Sequence, residues 1–109
     1  MQHTIGIDIS KGTLDCFELS SCKHYQYPND DLGQKALIKW IKKQDTVLVV
    51  FEATGAYHRS LEATLARHKH PFAKVNPRQA RRFAEATGRL AKTDRVDAAM
   101  LAKMGSILD

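Results

Sequence analysis

Four carboxylates are the residues of this 109-residue chain whose types and spacing could do chemistry: Asp8, Glu52, Asp94 and Asp97. Asp94 and Asp97 stand three residues apart in KTDRVDAAMLA, at the head of an alanine-rich apolar segment and directly after a run of arginines. Acids beside a basic run suit phosphoryl transfer on nucleic acid. That reaction needs charge neutralised at the non-bridging, attacking and leaving oxygens, and two Mg²⁺ ions roughly 3.5–4 Å apart supply this when carboxylates hold them. Mg²⁺ keeps several waters, so a few acids suffice. Each acid taken alone has a plainer use. Asp94 could complement a helix dipole, Asp97 could pair with Arg95 or Arg89, and Glu52 could cap the following helix. Only the set of four favours a metal.

Charge points the same way. Residues 1–55 hold six lysines, no arginine and seven acids, a net −1, whereas residues 56–109 hold four lysines, seven arginines and five acids, a net +6. Between Arg67 and Lys92 eight basic residues face one acid, Glu85, the footprint of a surface that meets phosphates.

The elements that must position these residues are legible in outline. Thr4 to Ile9 alternates, with Ile5, Ile7 and Ile9 on one face and Asp8 on the other among Thr4, Gly6 and Ser10, as in a strand. Lys11-Gly12 turns into a second strand near Thr13 to Leu19. A tight Ser20-Ser21 turn would return a third near Cys22 to Tyr27, setting Cys16 opposite Tyr25 and Cys22 opposite Leu19. Two cysteines so placed are thiols rather than a disulfide, and they lack any zinc-site spacing. Pro28, Asn29 and Asp30 then start a helix with Leu32, Ala36, Leu37, Trp40 and Ile41 as its apolar positions. The run Val47 to Phe51 reads as a strand buried on both faces, ending at Glu52. ATGAY turns into a helix with Tyr57, Leu61 and Leu65 on one stripe, and Phe72 to Val75 is a fifth strand. Asn76-Pro77 caps a helix that Gly88 closes, with Arg78, Arg81 and Arg82 on one face. Thr93 is expected to cap a last helix beginning at Asp94, which would set Asp94 and Asp97 one turn apart on the same side.

Three strands, helix, strand, helix, strand, helix, helix is the order of an α/β domain whose antiparallel strands lie at one sheet edge. It is also the order of the ribonuclease-H-like fold. The longest apolar run is far too short to span a membrane, and no secretory signal opens the chain. A cytoplasmic protein without a membrane partner is expected.

Three blocks, GIDISKGTLDC around Asp8, FEATGAY around Glu52 and VNPRQARRFAEATGRLAKTDRVDAAMLA around Asp94 and Asp97, closely resemble the N-terminal domain of the DEDD transposases of the IS-one-ten insertion sequences, relatives of the Piv DNA invertases. The resemblance covers nearly the whole chain, and all four acids of the pattern are present. It implies a RuvC-like, ribonuclease-H-like domain with a mixed five-stranded sheet and flanking helices over residues 1–109. Asp8, Glu52, Asp94 and Asp97 are its implied catalytic and metal-holding residues, with Mg²⁺ as cofactor and Mn²⁺ as a substitute. DNA is the implied partner, cut and rejoined in transposition or site-specific recombination. A structured guide RNA and a C-terminal domain with a serine nucleophile, absent from these 109 residues, are implied for the full-length protein. Arg78, Arg81, Arg82, Arg89 and Lys92 would contact phosphates, positioning the nucleic acid more than reading bases.

Two other classes stay open on the residues alone. GIDISKGTLD also resembles the phosphate hairpin of sugar-kinase and actin-like ATPases, and a noncatalytic nucleic-acid-binding module could keep the acids for structural reasons. Among lesser candidates, Tyr57 could stack on a base or act as a nucleophile, but its stripe with Leu61 and Leu65 places it in the core. His58, His68 and His70 fit solvent or phosphate better than a metal, and Ser10 and Lys11 divide between a turn and support of Asp8. Apolar Met100, Leu101 and Met104 suggest a homo-oligomer.

Overall fold

The computed structural model describes residues 3–44, 47–53, 55–88 and 96–107. Its elements are β1 (His3–Ile9), β2 (Thr13–Glu18), β3 (Lys23–Pro28), α1 (Asp31–Lys42), β4 (Val47–Glu52), α2 (Arg59–Arg67), β5 (Phe72–Val75), α3 (Pro77–Ala86) and α4 (Ala98–Ile107). The strands form one sheet in the order β3-β2-β1-β4-β5. Strands β1, β2 and β3 are antiparallel neighbours, and β4 and β5 run parallel to β1. This α/β domain has a mixed five-stranded sheet flanked by helices, the ribonuclease-H-like arrangement expected from the element order.

Alternation along β1 decides the layers. Ile5, Ile7 and Ile9 point to one side, where α1 and α2 bring Leu37, Ile38, Ile41, Leu61 and Leu65 onto Val49 and Phe51. Fully burying each such side chain contributes roughly 1.5–3 kcal/mol, so this layer is the main core. On the other side Val50 and Val75 meet Ala80 and Ala84 of α3 and Leu101 of α4, while Phe17 meets Ala98 and Ala102. Val49, Val50 and Phe51 are all fully buried, as a run covered on both faces requires.

Glycine at position 6 is what lets α4 reach the sheet. A Cβ built there would fall 2.0 Å from the Ala98 carbonyl oxygen and 2.5 Å from the Ala102 nitrogen. Thr4, two residues earlier on the same face, donates its hydroxyl to the Ala102 carbonyl at 2.7 Å. Helix α4 therefore runs antiparallel to β1, its N-terminus toward the Asp8 end.

Several local expectations change. The β2–β3 connection is Leu19 to Cys22, with Cys22 at φ 57, rather than a tight two-residue turn. One residue is added on each side, so Cys16 still faces Tyr25. Both thiols are free. Asp30 caps α1 by accepting from the Gly33 N–H at 2.7 Å, but Leu32 and Ala36 are exposed and Ile38 takes the buried place. Trp40 is a half-buried lid, 4.3 Å from the Tyr25 ring.

Candidate metal centre and nucleic-acid interface

Asp8 and Glu52 lie on adjacent parallel strands. Ile7 pairs with Phe51, and the next step of that ladder sets Asp8 beside Glu52. Alternation turns both side chains to the α4 face, opposite the Ile7–Phe51 side, and both are half-buried at the C-terminal ends of their strands. Glu52 also stands in register with Val75 of β5.

A third acid joins this face. Asp15 of β2 is directly opposite Asp8, and its carboxylate accepts from the Gln26 side chain at 2.7 Å. Like charges directly opposite across a ladder repel, so a cation near this pair would relieve the repulsion. Sequence reasoning missed Asp15. Its signal was the short Ser10–Gly12 turn, from which the β1–β2 register follows.

Asp97 is placed differently from the expectation. Helix α4 begins at Ala98, not Asp94, and Asp97 is its cap: its carboxylate accepts from the Met100 N–H at 2.9 Å and its carbonyl from the Leu101 N–H at 3.1 Å. Asp97 therefore does not lie one turn along a helix that starts at Asp94. Capping takes the first free N–H groups of a helix, which explains why an acid precedes the alanine-rich run. Because Ala98 stands over Gly6, this cap belongs to the Asp8 end of the sheet. Asp94, Arg89, Lys92 and Thr93 lie outside the described residues. Among the described residues no three or more His, Cys, Asp or Glu side chains gather closely enough to hold a metal ion.

Helix α3 carries the basic residues. Asn76 accepts from the Arg78 N–H at 2.7 Å and Pro77 occupies the first turn, while Gly88 follows at φ 72. Ala80 and Ala84 face inward, which leaves Arg78 and Arg82 exposed one turn apart. Arg81 is half-buried and pairs with Glu85 at 3.9 Å.

Two residues of the β4–α2 connection reverse their expected roles. Tyr57 precedes α2 and is 51% exposed, so it does not share the buried stripe of Leu61 and Leu65. His58 is buried instead, near the Phe51 ring and 3.9 Å from Glu62. Ser10 takes the turn role, with its hydroxyl 2.7 Å from that of Thr13. No helix among the described residues is long and apolar enough to cross a membrane.

A sequence model of a family described as transposase, the DEDD type of the IS-one-ten group, matches residues 5–108. The chain belongs to the DEDD transposase family. Two curated relatives are similar along 94% of the chain: the pilin gene-inverting protein of Moraxella lacunata, 35% identical, and that of Moraxella bovis, 34% identical. The chain spans 34% of the length of each. Divalent metal is part of this transposase family's general chemistry. Membership of the family decides against the sugar-kinase and actin-like reading of GIDISKGTLD.

Proposed function

We propose that this chain is the metal-holding N-terminal domain of a DNA transposase or site-specific recombinase. The observation that carries the reading is the placement of Asp8 and Glu52 side by side at the C-terminal ends of β1 and β4, with the capped N-terminus of α4 crossing Gly6 beside them. The donor set fits a hard divalent cation: carboxylate oxygens on rigid strands, with Asp15 facing Asp8 as a charge that a cation would offset. Asp8, Glu52, Asp94 and Asp97 would hold Mg²⁺, with Mn²⁺ as a substitute. Bound there, the metal supplies charge neutralisation at the phosphate and a more acidic water or hydroxyl nucleophile. Strands β1 and β4 hold two of the carboxylates where no loop movement is needed. Arg78 and Arg82 offer charge to phosphates beside that edge, with Arg81, Arg89 and Lys92 extending the same basic run.

The pilin gene-inverting relatives favour DNA inversion as a close variant of transposition. Because the chain spans a third of those proteins, the full-length protein is proposed to add a C-terminal domain with a serine nucleophile. A structured guide RNA completes the proposed assembly. The homo-oligomer expected from Met100, Leu101 and Met104 loses that basis, because Leu101 is buried and both methionines pack against the same core cluster.

One observation favours a noncatalytic DNA-binding module instead: the Asp97 carboxylate already serves as a helix cap. Calorimetric titration with Mn²⁺ separates the two. Asparagine caps as well as aspartate, whereas alanine costs about 1 kcal/mol. Asp97→Asn should therefore unfold like the parent chain yet bind Mn²⁺ on the order of tenfold more weakly, as should Asp8→Asn and Glu52→Gln. Mn²⁺ affinity unchanged in all three variants would leave the noncatalytic module standing.

A further inference from the structure

Of the eight Phe, Tyr and Trp residues, seven are buried or half-buried and Tyr57 alone is exposed. It lies on the connection after Glu52, at the end of the sheet where β1 and β4 finish. Its backbone is held there. The Asn29 side-chain amide donates to the Tyr57 carbonyl at 3.2 Å and to the Ser10 carbonyl at 2.9 Å, two residues beyond Asp8. The Asn29 N–H is itself fixed on the Gly12 carbonyl at 3.0 Å. One amide thus ties the turn after Asp8 to the connection after Glu52, with Tyr57 presented from the second. Lys11 and Arg59, both exposed, adjoin these anchored residues.

A single exposed aromatic ring needs no explanation by itself. A ring on an anchored backbone, at the carboxylate end of the sheet, with exposed Arg59 two residues on and exposed Lys11 next to the tied Ser10 turn, has the parts of a single-strand platform: a π-face for a base and charge for the backbone. Anchoring also reduces the ordering cost of binding. We infer that Tyr57 stacks on an unpaired nucleobase of a strand that crosses this end of the sheet to Asp8 and Glu52, and so sets which nucleotide is presented to the acids. The inference rests on the proposed DNA reading and adds to it a positioning residue that does not hold metal.

The test uses the chain with Mg²⁺ and a short single-stranded DNA carrying a fluorescent purine analogue whose emission is quenched by stacking. The parent chain and Tyr57→Phe should bind and quench alike. Tyr57→Leu and Tyr57→Ala should lose the quenching and bind on the order of tenfold more weakly, with unchanged thermal unfolding because the ring is exposed. Equal quenching and affinity in Tyr57→Leu and the parent, with weaker binding in Arg82→Ala, would overturn the role of Tyr57 and leave the DNA reading intact. No binding by the parent chain would overturn both.

Discussion

At the residue scale, burial decides what each chemical group can do. Cys16 and Cys22 are both free thiols, yet Cys16 is 1% exposed within the main core and Cys22 lies open at the β2–β3 turn. Burial pushes the Cys16 thiol from its ordinary 9.0 up to about 12, and the neighbouring Asp15 charge adds to the effect. At pH 8 a thiol reagent should therefore label one cysteine quickly in the native chain and both in denaturant, since the thiolate is the reactive form. Native labelling of both at equal rates would mean that the core opens freely. Between the two pKa values the unfolded chain has released the Cys16 proton and the folded chain retains it. The folded state then binds more protons, so stability should fall as pH rises above about 9. Urea midpoints measured at rising pH should show this decline, and Cys16→Ala should flatten it.

At the element scale, α4 is the part whose seating matters most, because it brings Asp97 to the strand ends. The seat is Gly6, whose Cβ would collide with backbone atoms of Ala98 and Ala102 rather than with movable side-chain tips. Gly6→Ala should therefore cost about 3 kcal/mol, the upper end of ordinary overpacking, and should loosen α4 before the α1–α2 layer. Gly12→Ala meets nothing within 4 Å and should stay within about 0.5 kcal/mol. Urea unfolding with hydrogen exchange along α4 checks both. Local signals explain much of the rest. Asp30, Asn76 with Pro77, and the five-residue apolar run of β4 are cues that act within a few residues, and each element formed where its cue stands. The exposure of Leu32 and Ala36 was hidden because helical periodicity shows that a stripe exists but not which stripe the sheet will cover.

At the scale of the whole molecule, exposed basic charge gathers on α3. The basic excess belongs to the second half of the chain, and α3 shows Arg78 and Arg82 to solvent while Arg81 pairs with Glu85. On the proposed reading, DNA affinity should fall linearly with the logarithm of salt. Arg78→Ala and Arg82→Ala should each reduce that slope by roughly one, and Arg81→Ala by less because its charge is already partly engaged. Equal slopes in all three variants and the parent would move the phosphate contacts off α3.

The sequence by itself determined the element order, the mixed sheet and the family, because strand alternation, caps and apolar runs are local and the three acid-bearing motifs are contiguous in the chain. It also singled out Asp8 and Glu52. What only the tertiary structure decided was who stands beside whom. Asp15 came opposite Asp8 through hairpin register, Asp97 became the cap of α4 because the helix starts at Ala98, and Tyr57 left the expected core because α2 begins after it. Each of these depends on where one element meets another, and contacts across elements are set by packing rather than by spacing along the chain.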